Sequence, residues 1–379
     1  MSIARFAFPT AIQFGPGVRR EAAGLLTAAG VRRPLLVVDR GLAALPPTAE
    51  LEAALRAAGL TVARFDGVQG NPGAQQVAAG VAAYRAHQAD GIVGLGGGAA
   101  LDVAKAIALM AVHPGEVLEY AWDHPAVRKI SQALPCWIAL PTTSGTGSEV
   151  GRSAVISDET THVKKIIFAP ALLARAVLAD PELTLGLPAP VTAATGMDAL
   201  THNVESYLSP AYHPLCDGIA LEGARIAARS LPAAVQDGAN LAARSDLMMA
   251  SLMGGIAFQK DLGAVHSCAH ALSAVADLHH GLANGIMIDW VTRFNLDASP
   301  VKLAELARVC GAGASGEDFV AWLTALKARI GLPARLSAVG VTASAIPALA
   351  QVAFADPCHQ TNPQPCTLAD FTALFTAAL

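Results

Sequence analysis

Gly91-Ile-Val-Gly-Leu-Gly-Gly-Gly-Ala-Ala-Leu-Asp-Val-Ala-Lys105 is the most informative stretch of the N-terminal half. Gly91 to Leu95 is a short apolar run bounded by glycine, which reads as a buried strand. A helical pattern from Ala99 to Met110 follows at once. The junction, Gly94-Leu-Gly-Gly-Gly-Ala99, matches the G-x-G-x-x-A dinucleotide fingerprint. Glycines there let the backbone approach a pyrophosphate, and the helix N-terminus offers unpaired amides and the positive end of its dipole. A strand-to-helix turn that binds nothing has the same local sequence, so the flanking segments must decide.

Working outward, Leu35 to Val38 reads as a strand followed by a helix from Thr48 to Ala58. Leu60 to Phe65 is a second strand, followed by a helix from Gly73 to His87, and Cys136 to Leu140 is a further strand. This alternation implies a parallel sheet with helices on its faces. The glycine turn follows the third of these strands, whereas an ordinary dinucleotide domain places it after the first. Asp39, in Val38-Asp39-Arg40-Gly41, ends the first strand, where a carboxylate can accept hydrogen bonds from a ribose or cap a turn. A second polar loop, Pro141-Thr-Thr-Ser-Gly-Thr-Gly-Ser-Glu149, is dense in hydroxyls and glycine and offers donors to a phosphate or ribose.

Beyond Leu187-Pro-Ala-Pro-Val191 the texture changes to long alanine- and leucine-rich helical patterns: Thr192 to Leu208, Cys216 to Ala234, Ala239 to Phe258 and Val265 to Leu278. The expected organisation is therefore an α/β dinucleotide-binding domain over residues 1–187, then an all-helical metal-binding domain over residues 188–379.

Composition narrows the classes. The 379 residues are 53% hydrophobic and 15% charged, with mean hydropathy +0.43, which excludes a disordered chain. Every apolar stretch is interrupted before the about 18 residues that a membrane helix needs; Pro170 to Asp180, for example, carries Arg175. The apolar excess belongs in a core or a subunit interface. A net charge of −4 without a basic run makes nucleic acid and anionic membranes unexpected partners. Met1 to Pro9 lacks the pattern of a signal peptide. The six cysteines (136, 216, 268, 310, 358, 366) form no CxxC pair, as expected for reduced thiols in a cytoplasmic protein.

Chemistry concentrates in the second half. Asp198 and His202 stand four apart, on one face of a helix, and His266 and His270 repeat the spacing ahead of His279-His280. One carboxylate with two or three imidazoles suits a catalytic Zn2+ or Fe2+ with an open coordination position. Spacing alone leaves open which histidines are ligands.

Together these motifs resemble the iron-containing (group III) alcohol dehydrogenases, over essentially the whole chain from Phe14-Gly-Pro-Gly17 to Asp356-Pro-Cys-His-Gln-Thr-Asn-Pro363. The most specific parts are Gly96 to Lys105, Pro141 to Glu149, Ala194 to His202 and His266 to Asn284. The resemblance implies Asp198, His202, His266 and His280 as metal ligands, with His270 as a catalytic proton relay near substrate and nicotinamide. It also implies cofactor contacts from Asp39, Asn71, Gly97, Gly98, Asp102, Thr142, Thr143, Thr146 and Lys164. Asp39 would face the adenosine ribose and repel a 2′-phosphate, favouring NAD over NADP.

The implied enzyme is a homodimer or higher homo-oligomer that transfers hydride between NAD(H) and a small alcohol or aldehyde, with Fe2+ as its metal and Zn2+ fitting the same ligands. Relatives on the same scaffold supply the rival readings: glycerol or glycerol-phosphate type dehydrogenases, maleylacetate reductases and dehydroquinate-synthase-like lyases. A metal hydrolase is the rival from another class, and would bind no nucleotide. Three departures from the family pattern stand out. Ala99 replaces the commoner serine, Leu278-His279-His280 replaces the commoner Thr-Pro-His, and Asp123 to Leu134 looks abbreviated. His279 is thereby a possible competitor to His280.

Overall fold

The computed structural model describes residue 8, residues 10–161 and residues 163–379; the segment read as lacking a signal peptide falls almost wholly outside them. Its strands are β1 (Ala11–Phe14), β2 (Pro34–Asp39), β3 (Ala63–Val68), β4 (Gly91–Gly96), β5 (Cys136–Pro141), β6 (Ser153–Ser157), β7 (Lys164–Phe168) and β8 (Ala176–Ala179). Six of them form one parallel sheet in the order β1-β8-β5-β4-β2-β3, while β6 and β7 make an antiparallel hairpin. The helices between the sheet strands are α1 (Ala22–Ala28), α2 (Pro46–Ala57), α3 (Ala74–Ala86) and α4 (Gly98–Val112).

The sequence explains the layering. β4 and the apolar part of β2 are buried along their length, as strands covered on both faces must be. β3 starts later than its hydrophobicity implies, at Ala63 instead of Leu60. Leu60 and Val62 are buried before the ladder begins, in the core that Leu51 and Leu55 of α2 share with the sheet. β1, β6, β7 and β8 are four or five residues long and carry no period that marks them in the sequence.

Strand order accounts for the unusual position of the glycine turn. From β2 the chain moves outward to β3, then crosses back to β4 on the other side of β2 and continues to β5. The direction of winding therefore reverses between β2 and β4. In open parallel sheets the crevice at the carboxyl ends of such a pair is where ligands bind. Asp39 ends β2 and Gly96 ends β4 at this place.

α4 is braced from within the same unit. Its Asp102 accepts from Ser148 Oγ at 2.6 Å and from the Val155 amide at 3.1 Å. One turn on, the fully buried Lys105 donates to Ser148 O (2.7 Å), Ser148 Oγ (2.9 Å) and Ser153 O (2.6 Å). This holds the loop after β5 and the start of the hairpin against the helix that opens at the glycine turn. Burial lowers the Lys105 pKa, although the Asp102 and Glu149 carboxylates oppose it, and burial pushes Glu149 up to about 7.

The rest of the described chain is helical: α5 (Ala189–Leu208), α6 (Pro214–Gln236), α7 (Leu241–Ala257), α8 (Ala264–Ala276), α9 (His280–Phe294), α10 (Pro300–Val309), α11 (Gly316–Arg329), α12 (Ile346–Ala355) and α13 (Leu368–Ala378). By its packing the chain divides into two compact units: Phe8–Thr143 with Ser148–Thr184, and Leu185–Leu379 with Ser144–Gly147. In the helical unit α5 is buried nearly all round. Its small residues allow that, since a Cβ on Gly196 would meet Leu231 Cδ1 at 2.3 Å. α8 ends at Ala276, short of the expected Leu278, because Asp277 adopts a left-handed conformation (φ 50°). The resulting corner starts α9 at His280.

Lys105→Met should lower stability by about 3–5 kcal/mol in denaturant unfolding, because it leaves the Asp102 carboxylate buried without its cation.

Candidate active site

α5 presents Asp198, His202 and Glu205 at i, i+4 and i+7, one stripe of the helix. Around Asp198 Oδ1 lie His202 Nε2 at 3.9 Å, His266 Nε2 at 3.9 Å from α8, and His280 Nε2 at 3.6 Å from the first residue of α9. Ligand atoms of Asp198, His266 and His280 all lie within 4.8 Å of one another, a set that does not include His202. Asp198, His202 and His266 are buried, whereas the His280 side chain is 24% exposed and forms the open side.

Partners on the far ring nitrogens orient two of these imidazoles. His266 Nδ1 donates to Glu205 Oε2 at 2.5 Å, and His202 Nδ1 donates to the Gly145 carbonyl at 3.2 Å. Both bonds leave the Nε2 lone pair facing Asp198. Burial pulls the His202 pKa down to about 4, so this ring is neutral at physiological pH. For His266 burial acts in the same direction, but the Glu205 hydrogen bond and charge outweigh it and raise the pKa. Glu205 also accepts from the Val265 and His266 amides, and so fixes the start of α8.

The donor set fits a divalent cation. Asn284 Nδ2 lies 2.7 Å from Asp198 Oδ1, 3.4 Å from His266 Nε2 and 3.2 Å from His280 Nε2. An amide has two hydrogens for these three acceptors. Asn284 Oδ1 is itself buried without a hydrogen bond. One carboxylate oxygen and three imidazole nitrogens thus converge on one point, a donor set of the kind that a divalent metal takes.

His270 sits beside this centre, its ring stacked on His280 with centroids 5.3 Å apart. Its Nδ1 donates to Asp356 Oδ2 at 2.7 Å. The other oxygen of Asp356 accepts from Ser267 Oγ at 2.8 Å and the Cys358 amide at 2.9 Å. Burial would raise the Asp356 pKa, yet the His270 ring and these donors hold it well below the usual carboxylate range. His279 accepts from the Leu282 amide (3.4 Å) as the N-cap of α9 and is not among the grouped ligand atoms.

In the α/β unit the Gly97 amide donates to Asp39 Oδ2 at 3.0 Å, so the carboxylate and the glycine turn are one assembly. Burial raises Asp39 to about 6, with the Gly97 bond acting against it. Gly97 and Gly98 open α4 half-buried. The Thr142 amide donates to Gly96 O at 3.0 Å, and Thr143 borders Gly97, 3.5 Å from where a Cβ would stand. Both oxygens of Asp102 are engaged inside the unit, as described above. Lys164 pairs with Ser157, whose amide donates to Pro72 O (2.7 Å), which brings Asn71 and Lys164 to one edge of the hairpin. Thr146 lies in the segment that packs with the helical unit, where Gly145 closes on Thr195 and Gly147 (φ 62°) on Gly255.

Sequence reasoning passed over Glu205 and gave Asp356 no role. The i, i+4, i+7 spacing on α5 was the available signal for Glu205. Nothing local marks Asp356, which lies 86 residues from the histidine it holds.

The comparisons agree with this architecture. A family model described as iron-containing alcohol dehydrogenase matches residues 9–181, and its C-terminal counterpart matches residues 192–379. The chain belongs to the iron-containing alcohol dehydrogenase family, and is an oxidoreductase. It is 40% identical to a 4-hydroxybutyrate dehydrogenase of Cupriavidus necator, over 92% of this chain and 93% of that protein. The solved structure of a 1,3-propanediol oxidoreductase superposes with a TM-score of 0.95 at 37% identity, covering 100% of both chains. The sulfoacetaldehyde reductase of Bifidobacterium kashiwanohense, solved in complex with NAD+, gives a TM-score of 0.90 at 28% identity, over 100% of this chain and 99% of that one.

Replacing Glu205 with Ala should weaken metal retention by roughly 10- to 100-fold, the usual effect of losing a carboxylate behind a ligating histidine. Competition with a chromophoric chelator measures it.

Proposed function

We propose that this chain is an NAD(H)-dependent dehydrogenase of small alcohols and aldehydes that uses one divalent metal, Fe2+ or Zn2+, held by Asp198, His202, His266 and His280. The observation that carries the proposal is the convergence of three imidazole Nε2 atoms on the buried Asp198 Oδ1. When bound, the metal supplies Lewis-acid polarisation of the substrate oxygen and the nicotinamide supplies or accepts hydride.

The chain's own residues do the remaining work. Glu205 and the Gly145 carbonyl keep His266 and His202 in the tautomer that presents Nε2. With one carboxylate among its four ligands, a bound dication would keep net positive charge. His270, tied at Nδ1 to Asp356, takes the alcohol proton at Nε2 while the carboxylate steadies the charge. The packed helices around Asp198 exclude water from the buried side.

Asp39 and the glycine turn, at the reversal point of the sheet, support nucleotide binding there, with NAD preferred because Asp39 repels a 2′-phosphate. Thr142, Thr143, Thr146, Lys164 and Asn71 belong to the same reading, and the relative solved with NAD+ supports the cofactor. The substrate class is a short alcohol, diol or ω-hydroxy acid, in line with the activities for which the relatives are named. A cytoplasmic location accords with six free cysteines, and no helix among the described residues is long and apolar enough to cross a membrane. A homodimer or higher oligomer would cover exposed apolar side chains such as Trp122, Phe168 and Val301.

His280→Ala should abolish metal retention, measured by elemental analysis, and NADH formation with alcohols and diols, while NADH still binds; retained metal with normal turnover would overturn the assignment. A second test concerns Asp39. Ribose hydroxyls donate to its ionised form, so NADH affinity should be full at pH 8 and fall as pH drops through about 6. Asp39→Gly should flatten that profile and improve NADP use relative to NAD. Fluorescence titration between pH 5 and 8 checks both, and an unchanged profile removes Asp39 from the site.

A further inference from the structure

One cluster of metal-ligating side chains lies outside the set assigned above. His270, Asp356 and Cys358 each offer a ligand atom, and these atoms all lie within 4.8 Å of one another. They come from α8 and from the short turn Pro357–Thr361 that Asp356 caps. We propose that His270, Asp356 and Cys358 form a second, weaker metal site for soft divalent ions such as Zn2+, and that its occupancy inhibits the enzyme.

Donor chemistry separates this site from the first. The first set is one carboxylate and imidazoles without sulfur, while the second carries a thiol, which favours Zn2+ over Fe2+. Three protein ligands with one position left to water is a normal zinc arrangement. The ligands are also preorganised. Asp356 keeps Oδ1 on Ser267 Oγ and the Cys358 amide, so Oδ2 is held in place. His270 Nδ1 and Asp356 Oδ2 are 2.7 Å apart. A tetrahedral zinc with bonds of about 2.1 Å needs them roughly 3.4 Å apart, a small opening. All three residues keep some exposure, unlike Cys268 of α8, which is wholly buried.

Geometry makes this the weaker site: it has three protein ligands, and the His270–Asp356 hydrogen bond must open before an ion fits. Burial raises the Cys358 thiol well above its ordinary pKa. The entering ion must send that proton to solvent, so affinity rises with pH. His270 meanwhile moves its single proton from Nδ1 to Nε2 and stays neutral. Its Nε2 then has no lone pair with which to take the substrate proton. The inhibition, though not the site, rests on the role of His270 given under Proposed function.

Cobalt substitution tests the site directly. A thiolate bound to Co2+ gives an intense near-ultraviolet charge-transfer band, which the first set cannot produce because it has no sulfur. With the first site loaded, as followed by its visible d–d bands, a further equivalent of Co2+ should bring up the charge-transfer band. The band should vanish in Cys358→Ser and Cys358→Ala, which keep the d–d bands and their circular dichroism. No band at excess Co2+, or one that persists in both variants, would overturn the proposal.

Zn2+ inhibition should weaken in the same variants by at least the roughly 10- to 100-fold that loss of an outer partner costs a metal site. A Cys358-dependent band without Zn2+ inhibition would leave the site standing and remove His270 from proton transfer.

Discussion

Asp198 puts a carboxylate in the interior of a helical bundle, and burying a charge is costly unless something of opposite sign meets it. Much of the helical unit can be understood as the answer to that cost. α5 carries the carboxylate, α8 brings His266, and the left-handed corner at Asp277 ends α8 so that α9 begins with His280 aimed back at the same oxygen. The helices approach closely because small residues line the contacts. A Cβ on Gly281 would meet the Ala194 carbonyl oxygen at 2.5 Å, and one on Gly254 would meet His202 Cβ at 2.9 Å. The alanine-rich composition is thus a packing requirement of the site as well as a source of core.

The α/β unit works by a different constraint. Its parallel sheet reverses its winding between β2 and β4, and the glycine turn sits at that reversal. The Asp102–Lys105 brace then holds the loop after β5 to the helix that the turn opens. That brace is polar and buried, so it gains little from burial as such. Its value is positional, since it sets where Ser148 and β6 stand against α4.

Legibility in the sequence followed the range of the interactions. The α/β alternation, the turn at Gly94 to Ala99 and the helical second half depend on local patterns of period and glycine placement, and could be seen directly. The late start of β3 could not, because Leu60 and Val62 are buried in the core that α2 shares with the sheet before the ladder begins. Asp198 and His202 announced themselves through helical spacing. Glu205 shares their stripe but is an ordinary glutamate until its partner is known, and Asp356 has no local signature.

The order of residues alone specifies the kinds of chemistry on offer: a glycine turn of the type that suits a dinucleotide, and one carboxylate among several imidazoles, of the type that suits a divalent metal. These are properties of residue type and short spacing, which survive in an unfolded chain. Which nitrogen of His202 and of His266 faces the centre is settled only by folding. That choice depends on bonds between residues 61 apart for Glu205 and His266, and 57 apart for His202 and Gly145. The same holds for the grouping of His270, Asp356 and Cys358, and for the place of Asp39 against Gly97. Hydrogen-bond partners at such separations are chosen by packing, and no local pattern encodes them.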